Sequence, residues 1–570
     1  MTHPPIPQKI LIVGGVAGGM SAAARLRRLN ERAEIVIFER SGYVSFANCG
    51  LPYYLGGEIT DRSALLLQTP QSLAKRFKLD VRVRHDVTAI DPEAKTVTVQ
   101  NLDTGDTLTE AYDDLILSVG AKPLRPPLPG RDLPGLFTLR TVEDVDALDA
   151  WQATHDVKRV VVLGGGFIGL EVAEQFRHKG LAVTLIDANP QLLRPLDTEM
   201  AERVHTEVRE QGITLLLNAP VKQVLPADAH TQAGEAAPKA GWVIAGDNPP
   251  IAADMVLVGL GVRPDVALAE KAGLSLGQRK GIAVDAHLQT SQPHIWAVGD
   301  AIEVTNPLSN EQTLISLGGP ANRQGRMVAN NIMGMHDTYD GTIGTAVLRV
   351  FELTVASTGL NEAQLQAMGL LHEAIHLHPA NHASYYPGAE KLALKVLFNP
   401  QTGKLYGAQA VGKAGVDKRM DVLATAIKAG FTVRDLAELE LCYAPPYGSA
   451  KDPINLAGMI GENILDGLLT QVQWHQVNGL DRSTHQLLDV RDDVEREAGT
   501  LPDSLHIPLN QLRSRLDELP KDKTLVAYCY SGQRSYFATR LLVQHGFKAS
   551  NLAGAWATYP QSALKQPALV

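Results

Sequence analysis

Three cysteines are the residues of this sequence best suited to covalent chemistry. Cys49 lies in the segment YVSFANCGLPYY at 43–54, and Cys442 and Cys529 follow much later in the chain. Three cysteines cannot build a disulfide framework, and their spacing is not that of a metal site, so we expect no bound metal. A lone cysteine is either an apolar side chain in a core or, as a thiolate, a nucleophile.

A second reactive thiol is predicted at Cys529. The apolar strand TLVAY at 524–528 ends at this cysteine, and the loop that follows carries Gly532 and Arg534 before a helix. A loop over a helix N-terminus points several N–H groups at the sulfur, which stabilises a thiolate or persulfide. A phosphatase-like loop, which would have to be longer, and an inactive binding domain are the alternatives.

Two glycine-rich turns predict two dinucleotide sites. Each turn follows an apolar strand, opens a helix and is followed by a strand that ends in an acid: Gly14, Gly15, Gly18 and Gly19 with Glu39, and Gly164, Gly166 and Gly169 with Asp187. Phosphates bind at such helix N-termini, and a β-carbon there would hold the pyrophosphate away. The second turn fits G-x-G-x-x-G, whereas the first has Val16 where the pattern has glycine. Asp187 favours NADH because it would repel a 2′-phosphate; NADPH is the alternative.

Three later segments resemble those of flavoproteins with two dinucleotide sites. They are LILSVGAKP at 115–123 with Ala121, VLVGLGVRPD at 256–265 with Gly261, and HIWAVGDA at 294–301 with Asp300. They are similar to the linking strand and turn, the glycine-arginine-proline segment and the second FAD segment of that class. The resemblance implies that the first glycine turn binds FAD, with Glu39, Arg40 and Asp300 near it, and that the second binds the nicotinamide dinucleotide.

The segment around Cys49 resembles the single-cysteine branch of these enzymes, which contains coenzyme A disulfide reductases, persulfide reductases, NADH oxidases and NADH peroxidases. Similarity to the coenzyme A disulfide reductase family covers nearly residues 8–460. It implies a catalytic Cys49 whose pKa is lowered by the flavin and by a helix N-terminus. It also implies coenzyme A contacts, although the arginines fit a solvated helix face equally well: Ser21, Arg25, Arg28, Ser45, Asn48, Lys75, Asn322 and Lys451.

Two segments, at 382–390 and 441–455, resemble those that reach the partner's active site in the homodimers of that family. The resemblance implies that Tyr385 and Tyr443 give a proton or hydrogen bond to the departing thiolate; packing anchors are the alternative. Residues 476–570 resemble a rhodanese domain with Cys529 as its catalytic thiol. One departure is Asp503, where that family often has glycine.

The chain is too long for a single hydrophobic core, since it has 570 residues. We expect an α/β fold with two Rossmann-like dinucleotide-binding domains, an α+β dimerisation domain and an α/β rhodanese domain. The predicted ranges are FAD binding at 1–120 and 280–340, NAD binding at 121–279, dimerisation at 341–460, a linker at 461–475 and rhodanese at 476–570. Residues 227–241 are predicted to form a surface loop.

Charge and hydropathy exclude some classes of partner. The net charge of −9 argues against a general nucleic-acid binder. No uncharged apolar run is long enough for a membrane helix, and the N-terminus does not resemble a signal peptide, so we expect no membrane association. A reducing, cytoplasmic location is the expectation from the cysteine content.

Together these features predict a homodimeric flavoenzyme. NADH would supply electrons through FAD to Cys49, which would reduce a coenzyme A disulfide or persulfide, and the rhodanese domain would transfer sulfane sulfur. One alternative is an NADH oxidase or peroxidase that uses a Cys49 sulfenic acid. Another is a non-enzymatic sulfur carrier or redox-sensing scaffold. The sequence leaves the choice between disulfide and persulfide open.

Overall fold

The computed structural model describes residues 8–231 and 237–560. The chain divides into two compact units, one formed by residues up to 192 with 209–344 and the other by 193–208 with residues from 345 onward. Within the described ranges, every helix is too short or too polar to cross a bilayer.

The helices begin and end as follows: α1 Ala17–Leu29, α2 Leu51–Gly56, α3 Pro70–Phe77, α4 Val142–Thr154, α5 Phe167–His178, α6 Thr198–Glu210, α7 Ala267–Lys271, α8 Gly318–Ile332, α9 Glu362–Ala367, α10 Val416–Ala429, α11 Val433–Glu438, α12 Pro453–Leu465, α13 Asp493–Arg496, α14 Leu509–Leu512, α15 Gln533–Gln544 and α16 Ala555–Thr558. Short 3₁₀ turns include Asn48–Gly50 and Gly299–Ala301.

The strands of the first unit are β1 Lys9–Val13, β2 Glu34–Glu39, β3 Asp80–Val83, β4 His85–Asp91, β5 Thr96–Asn101, β6 Thr107–Ala111, β7 Asp114–Leu117, β8 Ala121–Pro123, β9 Leu136–Phe137, β10 Arg159–Leu163, β11 Ala182–Ile186, β12 Thr214–Leu216, β13 Val221–Leu225, β14 Gly241–Ala245, β15 Ile251–Ala253, β16 Met255–Val258, β17 Val262–Pro264, β18 Ile295–Ala297, β19 Val304–Thr305 and β20 Gln312–Thr313. Those of the second unit are β21 Ala346–Val350, β22 Leu353–Gly359, β23 Glu373–Leu377, β24 Ala393–Phe398, β25 Leu405–Gly412, β26 Gln471–Val472, β27 His485–Asp489, β28 Leu505–His506, β29 Thr524–Tyr528 and β30 Ala549–Leu552.

Two parallel sheets form the framework of the first unit. Their strand orders are β18-β7-β1-β2-β3 and β12-β11-β10-β16-β9. In both sheets the strand that precedes a glycine turn is central, flanked on both sides by parallel partners. The central strands are almost wholly apolar and buried, as expected for a parallel sheet covered on both faces. Each glycine turn therefore lies at the carboxyl end of a rigid strand.

The second unit combines one antiparallel and one parallel sheet. The antiparallel sheet has the order β21-β22-β25-β24-β23, and a turn that contains Thr402 and Gly403 joins β24 to β25. The parallel sheet has the order β26-β30-β29-β27-β28, and its central strand β29 ends immediately before Cys529.

Residues 193–208 join the second unit through a buried cluster of charges. The ammonium of Lys395 on β24 is fully buried and lies 2.8 Å from the carboxylate of Asp197, with Glu199 and Glu362 also in contact. Burial opposes ionisation of Lys395, but the surrounding carboxylates raise the pKa of its ammonium. Breaking such a pair leaves a charge buried and costs about 3–5 kcal/mol. The cluster therefore ties α6 firmly to this sheet.

The predicted linker at 461–475 differs from the structure. Helix α12 continues to Leu465, and β26 at Gln471–Val472 already pairs with β30 of the parallel sheet. The connection is therefore reduced to residues 466–470. The apolar periodicity of α12 continues past residue 460, and a two-residue edge strand is too short to leave a pattern in the sequence. The predicted loop at 227–241 lies between β13 and β14, apart from residues 232–236, which are outside the described ranges.

Candidate active site

The first glycine turn is shaped by close backbone contacts. Gly14 has φ +102°, and a β-carbon there would lie 2.2 Å from the carbonyl oxygen of Ser118. A β-carbon on Gly19 would lie 2.0 Å from the carbonyl oxygen of Gly14. Neither clash can be relieved without moving backbone. These two positions therefore require glycine for packing alone.

Val16 occupies the position at which the pattern has glycine. The corresponding residue of the second turn is Gly166, where an added β-carbon would meet nothing within 4 Å. Packing of the protein thus does not demand glycine at this position, which explains why the first turn accommodates valine. Both residues are N-caps without a side-chain hydrogen bond to the helix, so the first N–H groups of α1 and α5 receive no side-chain cap from them. Such N–H groups bind phosphate.

The two predicted ribose-binding acids take the same position in their sheets. The Gly15 N–H donates to a carboxylate oxygen of Glu39 at 2.8 Å, and the Gly165 N–H donates to Asp187 at 2.7 Å. Each acid thereby fixes its own glycine turn. Burial raises the pKa of Glu39. The contact of Asp187 with a ribose remains a prediction.

A cavity of about 1060 Å³ opens at the first glycine turn. Its volume lies at the upper end of the range for ligand pockets, roughly 300–1,000 Å³. Of the predicted cofactor and substrate residues, those that line it are Gly14, Gly18, Glu39, Arg40, Ala121, Asp300, Ser21, Ser45, Asn48, Cys49 and Asn322. The structure therefore brings most of the predicted FAD residues and part of the predicted coenzyme A set to one cavity.

The other predicted site residues are not among those that line this cavity. Those in the first unit are Gly15, Gly19, Gly164, Gly166, Gly169, Asp187, Gly261, Arg25, Arg28 and Lys75. Those in the second unit are Tyr385, Tyr443, Lys451, Cys529, Gly532 and Arg534. Their proposed contacts with cofactor or substrate remain predictions.

The predicted basic face of α1 is only partly exposed to solvent. The Arg25 Nε donates to Asn330 Oδ1 at 2.8 Å, and Ser21 Oγ donates to the carbonyl of Asn322 at 3.0 Å, so both residues contact α8. Arg27 is buried and donates to five backbone carbonyls. Arg28 is exposed. Arg27 therefore stabilises the fold, and Arg28 is the arginine of this cluster best placed to meet a phosphate.

Cys49 lies in the 3₁₀ turn Asn48–Gly50 and is exposed. Its neighbour Asn48 donates from Nδ2 to the carbonyl of Arg140 at 2.5 Å, which holds the turn against the start of α4. Tyr53, in the helix that follows, donates from its hydroxyl to Glu171 of α5 at 3.1 Å. Both ends of the segment are thus fixed to neighbouring elements of the first unit.

The groups of the protein itself raise the pKa of Cys49. Burial raises the pKa of its thiol, Glu171 and Asp300 raise it further, and Arg140 lowers it. Helix α2 begins at Leu51, two residues after the cysteine, and its stabilisation of the thiolate remains a prediction. Two carboxylates outweigh one guanidinium around the thiol. The contribution expected from the flavin remains a prediction.

Arg140 is a site residue that the sequence did not reveal. Its guanidinium forms an ion pair with Asp300 at 3.0 Å and lines the cavity that contains Cys49. The one local signal was Thr141-x-x-Asp144, a capping box that marks the start of α4. That signal places a helix start but does not say where the preceding side chain lies.

Glu171→Gln should lower the pKa of Cys49, because it removes a carboxylate that disfavours the thiolate. We expect alkylation of the reduced protein by iodoacetamide to become faster at lower pH than in the unaltered protein. Arg140→Gln should shift the same profile to higher pH, because it removes the cation that favours the thiolate. Serine at Cys442 and Cys529 in every sample restricts the signal to Cys49. Overlapping pH profiles for the two variants would contradict this electrostatic assignment.

Two predicted tyrosines of the second unit form a pair. The hydroxyls of Tyr385 and Tyr443 are 3.1 Å apart, and both side chains are exposed. The hydrogen bond between the two hydroxyls raises the pKa of Tyr385. Lys451 is also exposed.

The Cys529 loop has the features expected for a persulfide site. Gly532, with φ +95°, caps α15, and its N–H donates to the Cys529 sulfur at 3.2 Å. The Ser535 hydroxyl lies 3.5 Å from the same sulfur. Asp503, where glycine was expected, has φ +59°, the left-handed region that favours glycine. The departure from the pattern therefore leaves the turn in place.

Family models match three stretches of the chain. The family model for pyridine nucleotide-disulphide oxidoreductases matches residues 8–325, that for their dimerisation domain 345–452, and that for rhodanese-like domains 476–561. The chain belongs to the pyridine nucleotide-disulphide oxidoreductases. A coenzyme A disulfide reductase of Staphylococcus epidermidis is 35% identical over 451 residues, which are 79% of this chain and 99% of that protein.

Two solved structures resemble this oxidoreductase over almost its whole length. Reduced Bacillus anthracis CoADR-RHD is 46% identical, with a TM-score of 0.94 and coverage of 98% of both chains. A NAD-dependent persulfide reductase from A. fulgidus is 35% identical, with a TM-score of 0.88 and coverage of 97% of this chain and 100% of that one. The predicted fold class is thereby confirmed, and the protein is an oxidoreductase enzyme of a family that binds FAD and NADH.

Proposed function

We propose that this oxidoreductase is an FAD-dependent NADH:coenzyme A disulfide and persulfide reductase that acts through Cys49. The observation that carries the proposal is the position of Cys49. Of the three cysteines, it is the one in the cavity, and Ser45, Asn48 and Asn322 line that cavity with it. A sulfur substrate held by these residues meets a single thiol.

The cavity fits FAD by the shape of the first glycine turn and by the N–H groups at the start of α1. Gly14, Gly18, Glu39 and Asp300 would hold the cofactor there. When bound, FAD supplies the two-electron relay between NADH and the thiol. Asp187, at the second turn, would select NADH.

Reduction of a disulfide begins with a nucleophilic attack by the protein. The Cys49 thiolate attacks one sulfur of coenzyme A disulfide, the S–S bond breaks, and the first coenzyme A leaves as a thiolate that takes up a proton. Cys49 is then in a mixed disulfide with the second coenzyme A. Two electrons from NADH cleave that bond, release the second coenzyme A and restore the Cys49 thiolate.

A persulfide follows the same path with another product. Attack by Cys49 on the terminal sulfur of coenzyme A persulfide releases coenzyme A and leaves a persulfide on Cys49. Two electrons then cleave the new S–S bond and release hydrogen sulfide. Cys529 supplies sulfane sulfur in this proposal, since its loop favours a persulfide.

The proposal includes a homodimer in which the tyrosine pair of one protomer serves Cys49 of its partner. Tyr385 and Tyr443 are exposed, and a phenol hydroxyl can donate a proton or hydrogen bond to a departing thiolate. The match to the dimerisation domain at 345–452 supports this assembly.

Anaerobic NADH oxidation by the full-length, FAD-loaded protein tests the proposed function. We expect turnover with coenzyme A disulfide and with coenzyme A persulfide, and lower kcat/KM when NADPH replaces NADH. The ratio of the two kcat/KM values with NADH identifies the preferred sulfur substrate. NADH oxidation that requires oxygen or hydrogen peroxide, and that no disulfide or persulfide supports, would favour the oxidase or peroxidase alternative instead.

A further inference from the structure

The Cys529 loop has a neighbour within the second unit that the sequence did not reveal. Residues 556–558 run beside the loop: the Trp556 N–H donates to the Cys529 carbonyl at 3.1 Å, and the Ala557 N–H donates to the Tyr530 carbonyl at 2.8 Å. The loop and residues 556–558 contact the hairpin formed by β23 and β24, whose connecting residues 378–392 include Tyr385.

Three side chains of the second unit contact the loop and residues 556–558. His378 Nε2 lies 2.7 Å from the Thr558 hydroxyl, and the Arg203 guanidinium donates to the carbonyl of Ala557. The ammonium of Lys391 lies 4.8 Å from the centre of the Tyr530 ring. Tyr530 directly follows Cys529, so the Lys391 contact lies one residue along the chain from the rhodanese cysteine.

The charges around the loop leave one cation available for a ligand. Arg534 is engaged by both carboxylate oxygens of Glu495, at 2.6 and 2.7 Å, and by Asp492 at 3.4 Å. Burial and the nearby Arg203 hold the pKa of His378 well below its usual range, so that imidazole is neutral. The guanidinium of Arg203 is occupied by a hydrogen bond to a backbone carbonyl. Lys391 is exposed and, within the described residues, makes no ion pair.

We infer that Lys391 completes the rhodanese site and binds the anionic sulfur donor that loads Cys529. The inference deepens the proposed function, on which it rests, because it names a residue outside the rhodanese domain that binds the donor of the Cys529 site. A donor anion would be attracted by the exposed ammonium and held beside Tyr530, next to the thiol. The Cys529–Arg534 loop alone contains only Arg534 as a cation, and its charge is already neutralised.

Thiosulfate illustrates the chemistry. The Cys529 thiolate attacks the outer sulfur, the S–S bond breaks, and sulfite leaves with the electron pair, so that Cys529 carries a persulfide. Cyanide then attacks the terminal sulfur, forms thiocyanate and restores the thiolate. Neither step consumes NADH, so the assay reports on Cys529 independently of Cys49.

The test compares two donors with the full-length protein and cyanide as acceptor. Thiosulfate is a dianion, whereas methanethiosulfonate is a monoanion that delivers sulfur by the same step and releases methanesulfinate. For Lys391→Gln we expect kcat/KM with thiosulfate to fall by about tenfold, as for loss of a charge-assisted contact, and kcat/KM with methanethiosulfonate to fall less. Added salt should reduce the thiosulfate rate of the unaltered protein and have little effect on the variant.

Two further variants separate the effect of the charge at position 391 from that of an exposed lysine in general. Lys391→Arg retains the charge and should recover most of the thiosulfate activity. Lys413→Gln removes another exposed lysine of the same sheet domain, 3.8 Å from Glu390, and should leave both donors unaffected. Equal losses with both donors in Lys391→Gln, or no loss with either, would overturn the inference and leave Lys391 as a packing partner of Tyr530. Failure of NADH-linked disulfide reduction would instead refute the proposed function and leave this result standing.

Discussion

NADH-dependent reduction of coenzyme A disulfide should fall more than about 10³-fold in Cys49→Ser, because the attacking thiolate is lost. The exchange replaces sulfur with oxygen in an exposed turn that is held by Asn48 and Tyr53 through bonds the substitution does not touch. FAD should therefore stay bound and remain reducible by NADH. Steady-state NADH oxidation and anaerobic bleaching of the flavin absorbance measure the two properties separately.

Cys442→Ser is the matched control for this variant. Cys442 is also an exposed cysteine, but it lies in the second unit. It should retain normal turnover with both coenzyme A disulfide and coenzyme A persulfide. Retained disulfide reduction in Cys49→Ser would contradict the single-cysteine mechanism, and loss of FAD would make the variant uninformative about chemistry, which the flavin spectrum detects directly.

The second large effect is expected for Cys529→Ser. Transfer of sulfur from thiosulfate to cyanide should fall more than about 10³-fold, because the buried thiol that accepts the sulfur is gone. NADH-linked sulfide release from thiosulfate should be impaired for the same reason. Reduction of added coenzyme A disulfide should be unchanged, since that reaction needs only Cys49.

This pattern tests a sulfur relay between the two thiols. Fusion raises the effective concentration of one site at the other, up to the millimolar range for a short connection. Residues 466–470 form a short connection between α12 and the sheet that carries Cys529. A mixture of Cys49→Ser and Cys529→Ser proteins supplies the control, because each thiol is then present on a separate chain. Normal sulfide release from every donor by Cys529→Ser would remove the relay and leave the rhodanese domain with a docking role.

The cofactor loops were predictable because their signals are local. A strand, a glycine turn, a helix and an acid at the end of the next strand occupy about 30 residues, and backbone packing at Gly14 and Gly19 requires the residue type seen in the sequence. The second glycine turn, at Gly164, and Asp187 repeat the same pattern. Val16 departs from the glycine pattern. The open space at the equivalent position, Gly166, explains why a side chain is tolerated there.

The features that sequence could not predict depend on tertiary contacts. Arg140 reaches the Cys49 cavity from the start of α4, far along the chain from the cysteine. Arg27 resembles its neighbours Arg25 and Arg28 in type, yet it is buried against backbone carbonyls. The pKa of Cys49 is raised by burial and by Glu171 and Asp300, which come from other elements. Position in space, which the local pattern does not contain, decides each of these cases.

The docking of residues 556–558 on the β23–β24 hairpin makes truncation a poor way to separate the two activities. A chain cut after α12 would lose Thr558 as the partner of His378, and would lose Gln473, whose side chain donates to the carbonyl of Ala374 at 2.9 Å. Polar groups at the base of the loop that carries Tyr385 would lose their hydrogen-bond partners. A shortened enzyme with altered kinetics would therefore report on a damaged hairpin, and single substitutions at the two thiols dissect the protein more cleanly.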